Sequence, residues 1–264
     1  MAYLSRVRVT RYDGRLNSVE NREDVVVREA IVRLFINGEH VATFMSTPDK
    51  LKEQAIGFLF SEGVIKDLSD LEEVYVRGVD VYVKLSSEAA WRMKLRGKDV
   101  VISSACGGYS RGFKVSLVDA LTLSPVGSDL RIEASSVIKA VEELNKRSMT
   151  YRQTGGTHAA ALFNRQAEAL AVAEDVSRHN AFDKIIGESL LKGVKLSEVF
   201  VACTGRLTLE LVLKSIRCGI PIASSVSAPT SLGVETAEHN NLTLVGFVRG
   251  RRFNVYTHPW RIIT

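Results

Sequence analysis

Segments rich in apolar, β-branched residues in the first half of the chain predict paired strands. Residues 25–36 are rich in β-branched side chains, and Asn37-Gly38 follows them directly. Asn-Gly between two such segments is typical of a two-residue hairpin turn, because both residues tolerate a positive φ angle. We therefore predict a hairpin whose second strand covers residues 41–45, and a further strand pair over residues 74–85.

Apolar residues at helical spacing follow the first hairpin and return in the second half of the chain. Thr47-Pro48 has the pattern of an N-cap followed by proline, which predicts a helix that ends at Gly63. Ser135 or Ser136 is the predicted cap of an amphipathic helix. Strands and helices are then expected to alternate. The strands are expected at 158–163, 169–173, 199–203 and 220–224, with a final hairpin at 242–248 and 253–256.

This order of elements predicts an α/β fold in two lobes. The N-terminal lobe, residues 25–125, is β-rich with an α+β arrangement and ends in a loop of small residues around Cys106. The C-terminal lobe, residues 126–264, has the alternation of an α/β layer structure. A basic segment, residues 1–24, precedes both lobes.

Composition excludes several classes of protein. The 264 residues are 45% hydrophobic and 25% charged, close to the averages for globular proteins. No stretch of about 18 apolar residues occurs, so we expect no membrane helix. Residues 1–21 lack the apolar core of a secretory signal. Three cysteines are too few for a disulfide framework, so we expect a cytoplasmic protein with reduced thiols.

Positive charge is concentrated near the C-terminal end. The formal net charge is +5, and residues 203–264 contain seven Arg and Lys against three acidic residues, a local excess of +4. Arg249, Arg251 and Arg252 crowd the predicted tip of the last hairpin, where they form either a solvated turn or a grip for phosphates. No aromatic residue stands between these arginines as a stacking platform, so we expect no nucleic-acid partner.

Cys106 is the first candidate for chemistry. It lies among serines and glycines, and glycines allow the backbone to approach a ligand closely. A nucleophilic thiol needs exposure and a lowered pKa, which Arg111 or backbone N–H groups could supply. An ordinary loop cysteine explains the same pattern. Cys203 ends an apolar strand and Cys218 ends a helix, so both are expected to be small buried hydrophobes.

A second group of polar residues falls at the ends of two predicted strands. Residues 154–158 open one strand and residues 174–180 close its neighbour, which places His158, Arg178 and His179 near each other as either a functional cluster or satisfied structural groups. Zinc deaminases carry His-x-Glu followed by Pro-Cys-x-x-Cys. In this chain two alanines follow His158, and no Cys-x-x-Cys occurs. We therefore expect no metal held by the protein itself.

The segment 224–230, which contains Ser227, leads from a predicted strand into a predicted helix. Its hydroxyls and the free N–H groups of a helix N-terminus suit a phosphate or another anion. Plain helix capping explains the same residues. Both interpretations stay open at the level of sequence.

Many short segments, in order from about residue 25 to the C-terminus, resemble the formate dehydrogenase accessory sulfurtransferase family, FdhD. No single segment would be specific, but their number and their order are. The matching segments are Asn37-Gly38, Thr47-Pro48, Gly57-Phe58, Ser61-Glu62-Gly63, 155–161, Glu174-Asp175-Val176, Arg178-His179, Asp183-Lys184, Ser227-Ala228, 242–247 and Val255-Tyr256-Thr257-His258-Pro259.

The resemblance implies a fold similar to cytidine deaminases without the metal, and a homodimer. Cys106-Gly107 matches the first half of the family's Cys-Gly-x-Cys loop, which implies that Cys106 takes sulfur from a cysteine desulfurase as a persulfide. The implied acceptor is the molybdenum of the bis-molybdopterin guanine dinucleotide cofactor of formate dehydrogenase, a bound substrate. The residues assigned to this cofactor are Phe247, Val248, Arg249, Gly250, Arg251 and Arg252, with His158, Arg178, His179 and Ser227 as further candidates.

Tyr109 departs from the family pattern, because it stands where the second loop cysteine would be. A paired cysteine could resolve or protect a persulfide, so Cys106 would have to load and release sulfur directly. The departure leaves open a chaperone that binds the molybdenum cofactor without transferring sulfur. Cys106 and the two histidines also leave open a Cys-His hydrolase.

Overall fold

A computed structural model of the chain describes residues 3–95, 108–110 and 123–264, and for residues 95 and 108–110 it describes the backbone. Cys106 and Arg111 lie outside the described residues. The described part has a mixed α/β fold. Its division into lobes at residues 24 and 125 stays a prediction.

The elements are numbered in chain order. The α-helices of the described residues are α1 (Leu51–Ser61), α2 (Ser87–Leu95), α3 (Ala134–Arg147), α4 (Met149–Thr154), α5 (Arg178–Leu191), α6 (Leu209–Arg217) and α7 (Ser231–His239). The strands are β1 (Leu4–Asp13), β2 (Ser18–Val27), β3 (Ala30–Ile36), β4 (Glu39–Ser46), β5 (Leu71–Arg77), β6 (Asp80–Leu85), β7 (Gly108–Ser110), β8 (Ile132–Glu133), β9 (His158–Phe163), β10 (Ala169–Asp175), β11 (Phe200–Cys203), β12 (Ile222–Ser225), β13 (Thr243–Arg249), β14 (Arg252–Thr257) and β15 (Ile262–Ile263). Short 3-10 helices cover Leu68–Asp70, Leu196–Glu198 and Pro259–Arg261.

A five-stranded sheet in the order β5-β6-β3-β4-β7 forms the first layer. Asn37 and Gly38 have φ angles of 49° and 85°, which confirms the predicted hairpin turn between β3 and β4. Alternate residues of β3 point to one face of the sheet, where helix α1 covers them. The buried residues of this layer include Val32, Leu34, Ile36, Ala55, Ile56 and Leu59.

A six-stranded sheet in the order β10-β9-β11-β12-β13-β14 forms the second layer. Strands β11, β12 and β13 are parallel, whereas β9, β10 and β14 run antiparallel to their neighbours. Apolar side chains from α5, α6 and α7 pack on one face of this sheet, and those of α3 pack on the other. The sheet is therefore covered on both faces, which explains its nearly continuous apolar strands.

Helices α1 and α5 cross at two glycines and join the two layers. A Cβ atom on Gly57 would lie 1.8 Å from the carbonyl oxygen of Asp183, and one on Gly187 would lie 1.8 Å from that of Glu53. No side chain fits at either position. The backbones can approach this closely because both residues are glycine.

Buried ion pairs flank this crossing. Lys184 Nζ lies 2.7 Å from the Asp175 carboxylate, which also accepts hydrogen bonds from Thr47 N at 3.0 Å and Ser46 Oγ at 2.6 Å. On the other side, Lys214 Nζ donates to both carboxylate oxygens of Asp183 at 2.7 Å. Most of these groups are fully buried, so each charge depends on its partner for stability.

Two predictions of helix N-caps were wrong, because a different residue precedes each helix. Thr47 does not cap helix α1, since Lys50 is the N-cap and the Thr47 hydroxyl lies 2.8 Å from Asp175. Glu133 precedes helix α3, and the hydroxyl of Ser136 donates to the carbonyl oxygen of Arg165 instead. The β-branched segment 25–36 is divided between two strands, because Val27 ends β2 in a separate antiparallel hairpin with β1 and β3 begins at Ala30.

Candidate functional site

The candidate residues that the structure describes lie along one edge of the six-stranded sheet, the edge formed by the ends of its strands. The parallel strands β11, β12 and β13 all end at this edge. Strand β10 also ends there, and β9 begins there, since Asp175 pairs with His158 and Cys203 pairs with Ala160. Crevices outside the carboxyl ends of strands are the usual ligand sites of open α/β sheets.

A cleft of about 650 Å³ opens at this edge. Its volume is within the range of small-molecule binding sites. The residues that line it come from the end of helix α3, from helix α4, from the segment that leads into β9 with the first residue of β9, and from the turns after β10, β11 and β12. They are Asn145, Ser148, Tyr151, Arg152, Gly155, Gly156, Thr157, His158, Val176, Thr204 and Val226.

His158 stands at the first position of β9 and lines the cleft. Its Nδ1 atom lies 3.2 Å from the hydroxyl of Thr204. Burial lowers the pKa of His158, the charges of Arg178 and Arg206 lower it further, and Asp175 opposes them. The imidazole is therefore neutral at neutral pH, which suits a hydrogen-bonding group better than a fixed cation.

Arg178 and His179 are the first two residues of helix α5, and the charge of Arg178 acts on both His158 and His179. Arg178 packs over Gly205, where a Cβ atom would lie 2.7 Å from the Arg178 Cδ. His179 Nε2 lies 3.3 Å from Glu210 Oε2, and its side chain is 12% exposed. Burial, with the charges of Lys214 and Arg178, keeps the pKa of His179 well below its usual value. His179 is thus a neutral residue more deeply buried than His158.

The β13–β14 hairpin reaches the same edge. Phe247 N donates to the carbonyl oxygen of Ser227 at 3.0 Å, and Arg249 Nε donates to that of Val226 at 3.1 Å. Phe247 has a φ of 54°, and the strand register shifts between Gly246 and Arg249. Such irregularities re-aim side chains and are frequent near functional sites.

The hairpin divides its residues between the core and solvent. Val248 is 2% exposed and packs among apolar residues under the sheet, so its side chain is turned away from solvent. Phe247 is partly exposed, with the Arg249 guanidinium 5.4 Å from its ring centroid. Gly250, Arg251 and Arg252 are exposed at the tip.

The segment 224–230 packs between the hairpin and the cleft. Thr230 accepts a hydrogen bond from Gly233 N and caps helix α7, as plain capping predicts. Ser225 Oγ donates to the carbonyl oxygen of Gly205 at 2.7 Å and accepts from Ser227 N at 3.0 Å. These contacts join the turns after β11 and β12 into one support for the hairpin.

Two acids that the sequence places beside the histidines serve the structure instead. Glu174 accepts hydrogen bonds from Thr150 N at 2.8 Å and Tyr151 N at 2.7 Å at the start of helix α4. Asp175 pairs with Lys184 beside the crossing of helices α1 and α5.

Thr204 was missed by sequence reasoning, although a hydroxyl and a glycine directly after a buried strand are a usable signal for a site.

Cys203 and Cys218 are buried, which confirms the expectation for both. Burial raises the pKa of Cys203 to about 11, and burial also raises the pKa of Cys218. The reactive form of a thiol is the thiolate, so neither is a good nucleophile. In the described residues, no group of three or more His, Cys, Asp or Glu side chains is placed to hold a metal ion.

These features define a mixed α/β protein with a cleft at the edge of a mixed sheet where its parallel strands end. Among the described helices, none is long and apolar enough to span a membrane. The family model for FdhD/NarQ matches residues 27–263. The chain therefore belongs to the FdhD/NarQ family.

Known relatives match over nearly their whole length. The chain is 39% identical to the sulfur carrier protein FdhD of Saccharolobus solfataricus, over 97% of this chain and 99% of that protein. It is 35% identical to the sulfur carrier protein FdhD of Bacillus subtilis, over 96% and 95%. A crystal structure of a proposed formate dehydrogenase accessory protein from Desulfotalea psychrophila matches with a TM-score of 0.78 and 26% identity, covering 99% of this chain and 100% of that one.

Proposed function

We propose that this protein is a sulfur carrier and sulfurtransferase that serves formate dehydrogenase, with Cys106 as the carrier. Relatives named sulfur carrier protein FdhD support the class of function. The other two cysteines support the choice of Cys106, because Cys203 and Cys218 are buried and their pKa values are raised. Cys106 is then the candidate nucleophile of the chain.

The proposed loading step is a thiolate–persulfide exchange. The Cys106 thiolate attacks the outer sulfur of a persulfide on a cysteine desulfurase. A new S–S bond forms on Cys106, the S–S bond of the desulfurase breaks, and its cysteine leaves as a thiolate. No oxidant is consumed. The absence of a second cysteine at Tyr109 is compatible with this single-thiol exchange.

The proposed acceptor is the molybdenum of a bis-molybdopterin guanine dinucleotide cofactor, bound as a substrate in the cleft. The observation that carries this assignment is convergence at one sheet edge. The hairpin bonds to Val226 and Ser227, and Val226 lines the cleft with His158. Exposed arginines at the hairpin tip suit a pyrophosphate, since guanidinium groups bind phosphates bidentately.

The proposal also covers the oligomeric state, the location and the fold relationship of the protein. We propose a homodimer that works in the cytoplasm, and a core similar to cytidine deaminases without their zinc. The mixed six-stranded sheet with helices on both faces supports the similarity of the core.

Calorimetry with guanosine diphosphate tests the cofactor site. We expect Arg249→Ala or Arg252→Ala to weaken binding about ten- to a hundredfold, because each removes charge-assisted hydrogen bonds. Added salt should weaken the wild-type complex as well. Arg77→Ala, an exposed arginine on the other sheet, is the matched control and should bind as wild type. Unchanged affinity in both hairpin variants would show that the anion binds elsewhere.

Activation of formate dehydrogenase tests the carrier. Cys106→Ser should abolish activation, whereas Cys203→Ser and Cys218→Ser should retain it. A Cys106→Ser protein that still activates the enzyme would favour a cofactor-binding chaperone. Turnover of a generic ester or amide would favour the hydrolase instead.

A further inference from the structure

The turn after β11 places one threonine between two groups at the edge of the cleft. Thr204 Oγ1 accepts a hydrogen bond from Ala159 N at 3.0 Å and lies 3.2 Å from His158 Nδ1. The backbone N–H of Thr204 donates to the carbonyl oxygen of Ala159 at 3.0 Å. Thr204 is therefore held firmly against the first residues of β9.

Hydrogen bonding decides which nitrogen of His158 carries the proton. A hydroxyl has one hydrogen and two lone pairs, and Ala159 N–H already takes one lone pair. A protonated Nδ1 would take the other, and the hydroxyl hydrogen would then have no acceptor among the described residues, so that only water in the cleft could take it. An unprotonated Nδ1 accepts that hydrogen, so the hydroxyl and Nδ1 satisfy each other. This pattern places the proton of the neutral imidazole on Nε2.

His158 is neutral, so the position of its single imidazole proton matters. Burial disfavours a positive charge on this residue, the charges of Arg178 and Arg206 disfavour it further, and Asp175 opposes them. In the described part of the chain, Nε2 of His158 makes no hydrogen bond of its own. Its N–H is therefore left for a ligand in the cleft.

The turn itself is rigidly supported. The carbonyl oxygen of Gly205 accepts from Ser225 Oγ at 2.7 Å and from Cys203 Sγ at 3.6 Å. Leu207 N donates to the carbonyl oxygen of Ala228 at 3.1 Å. A side chain that orients another group works well only when its own position is fixed in this way.

We propose that Thr204 is a positioning residue that holds His158 as the neutral Nε2–H tautomer, so that Nε2–H donates to an anionic ligand in the cleft. The role of the donor rests on the proposed function of the cleft as a cofactor site. The tautomer itself does not, because it is a property of the protein without ligand.

Nitrogen NMR of histidine-labelled protein without ligand, above neutral pH, tests the tautomer. His158→Gln identifies the His158 signals. We expect the Nε2–H pattern in wild type and in Thr204→Ser, and a shift towards Nδ1–H in Thr204→Val. Thr208→Val is the matched control, because the buried Thr208 hydroxyl has no hydrogen-bond partner among the described residues. It should keep the wild-type pattern.

A wild-type His158 protonated on Nδ1, or an unchanged tautomer in Thr204→Val, would overturn the proposal. The wild-type spectrum decides even if Thr204→Val fails to fold. Guanosine diphosphate binding is measured separately and should weaken about five- to tenfold in Thr204→Val, as for one lost neutral hydrogen bond. If the tautomer shifts as expected but wild type binds no guanosine diphosphate, the cleft assignment fails while the positioning role stands.

Discussion

Replacing Gly187 by alanine tests the crossing of helices α1 and α5, on which the placement of both layers depends. The new Cβ would lie 1.8 Å from the carbonyl oxygen of Glu53 and 2.6 Å from its carbonyl carbon. Carbon atoms in ordinary contact are separated by about 3.5–4.0 Å. The obstacle is backbone on the facing helix, so no side-chain rotation relieves it. The helices must move apart.

The expected cost follows from three contributions. Overpacking a close-packed interface costs about 1–3 kcal/mol. Separation would also stretch contacts such as the 2.8 Å hydrogen bond from Ser61 to Asp183, at about 1 kcal/mol for each bond weakened. Alanine's better helix propensity returns about 1 kcal/mol. The net expectation is a loss of about 1–3 kcal/mol, or a fall in Tm of about 2–12 °C for a chain of this size.

Urea unfolding followed by circular dichroism measures the difference at neutral pH. Gly127→Ala is the control, because nothing lies within 4 Å of the position that its new Cβ would take. It should change stability by less than about 0.5 kcal/mol. If Gly187→Ala is as stable as wild type, or more stable as helix propensity alone would predict, the close approach of the two helices is wrong.

Two other predictions concern buried charge. Lys184→Met should cost about 3–5 kcal/mol in urea unfolding, because it leaves Asp175 buried without its cation; adding Asp175→Asn should recover part of that loss, and no recovery would contradict the pairing. Because the pKa of His179 is lowered in the folded state, its contribution to stability is complete above the unfolded pKa of about 6.5. That contribution should be lost as pH falls, by about 1.4 kcal/mol per pH unit. Burial raises the pKa of Asp183 to about 6, so Asp183 adds stability as pH falls below that value, but this effect cancels when His179→Gln is compared with wild type. Equal pH slopes for the two proteins would contradict the assignment to His179.

The sequence predicted elements whose pattern is local. Strand β9 covers residues 158–163 as expected, because a fully apolar segment in a covered sheet needs no distant information. The β1–β2 hairpin was missed because most of its residues are exposed, so no apolar alternation marks it. Its pairing of Arg8 with Glu23 is visible only in the register.

Long-range contacts account for the other failures. Thr47 has the local pattern of a cap, but its hydroxyl bonds to Asp175, 128 residues away. Gly57 belongs to the family pattern, but only the structure shows why glycine is needed there: the backbone of the facing helix lies against it at Asp183. At the site, the sequence identified His158 and the hairpin arginines by residue type. Sequence reasoning missed Thr204, and its contact with His158, 46 residues earlier, is visible only in the structure.

Mass spectrometry after incubation with a cysteine desulfurase and cysteine tests the carrier assignment most directly. We predict that the peptide containing Cys106 gains the mass of one sulfur atom, that a reductant removes it, and that Cys203→Ser and Cys218→Ser proteins load equally well. Guanosine diphosphate should not be required, because loading involves the desulfurase alone. A chain that gains no sulfur on Cys106, or that loads as well after Cys106→Ser, would contradict the proposed function.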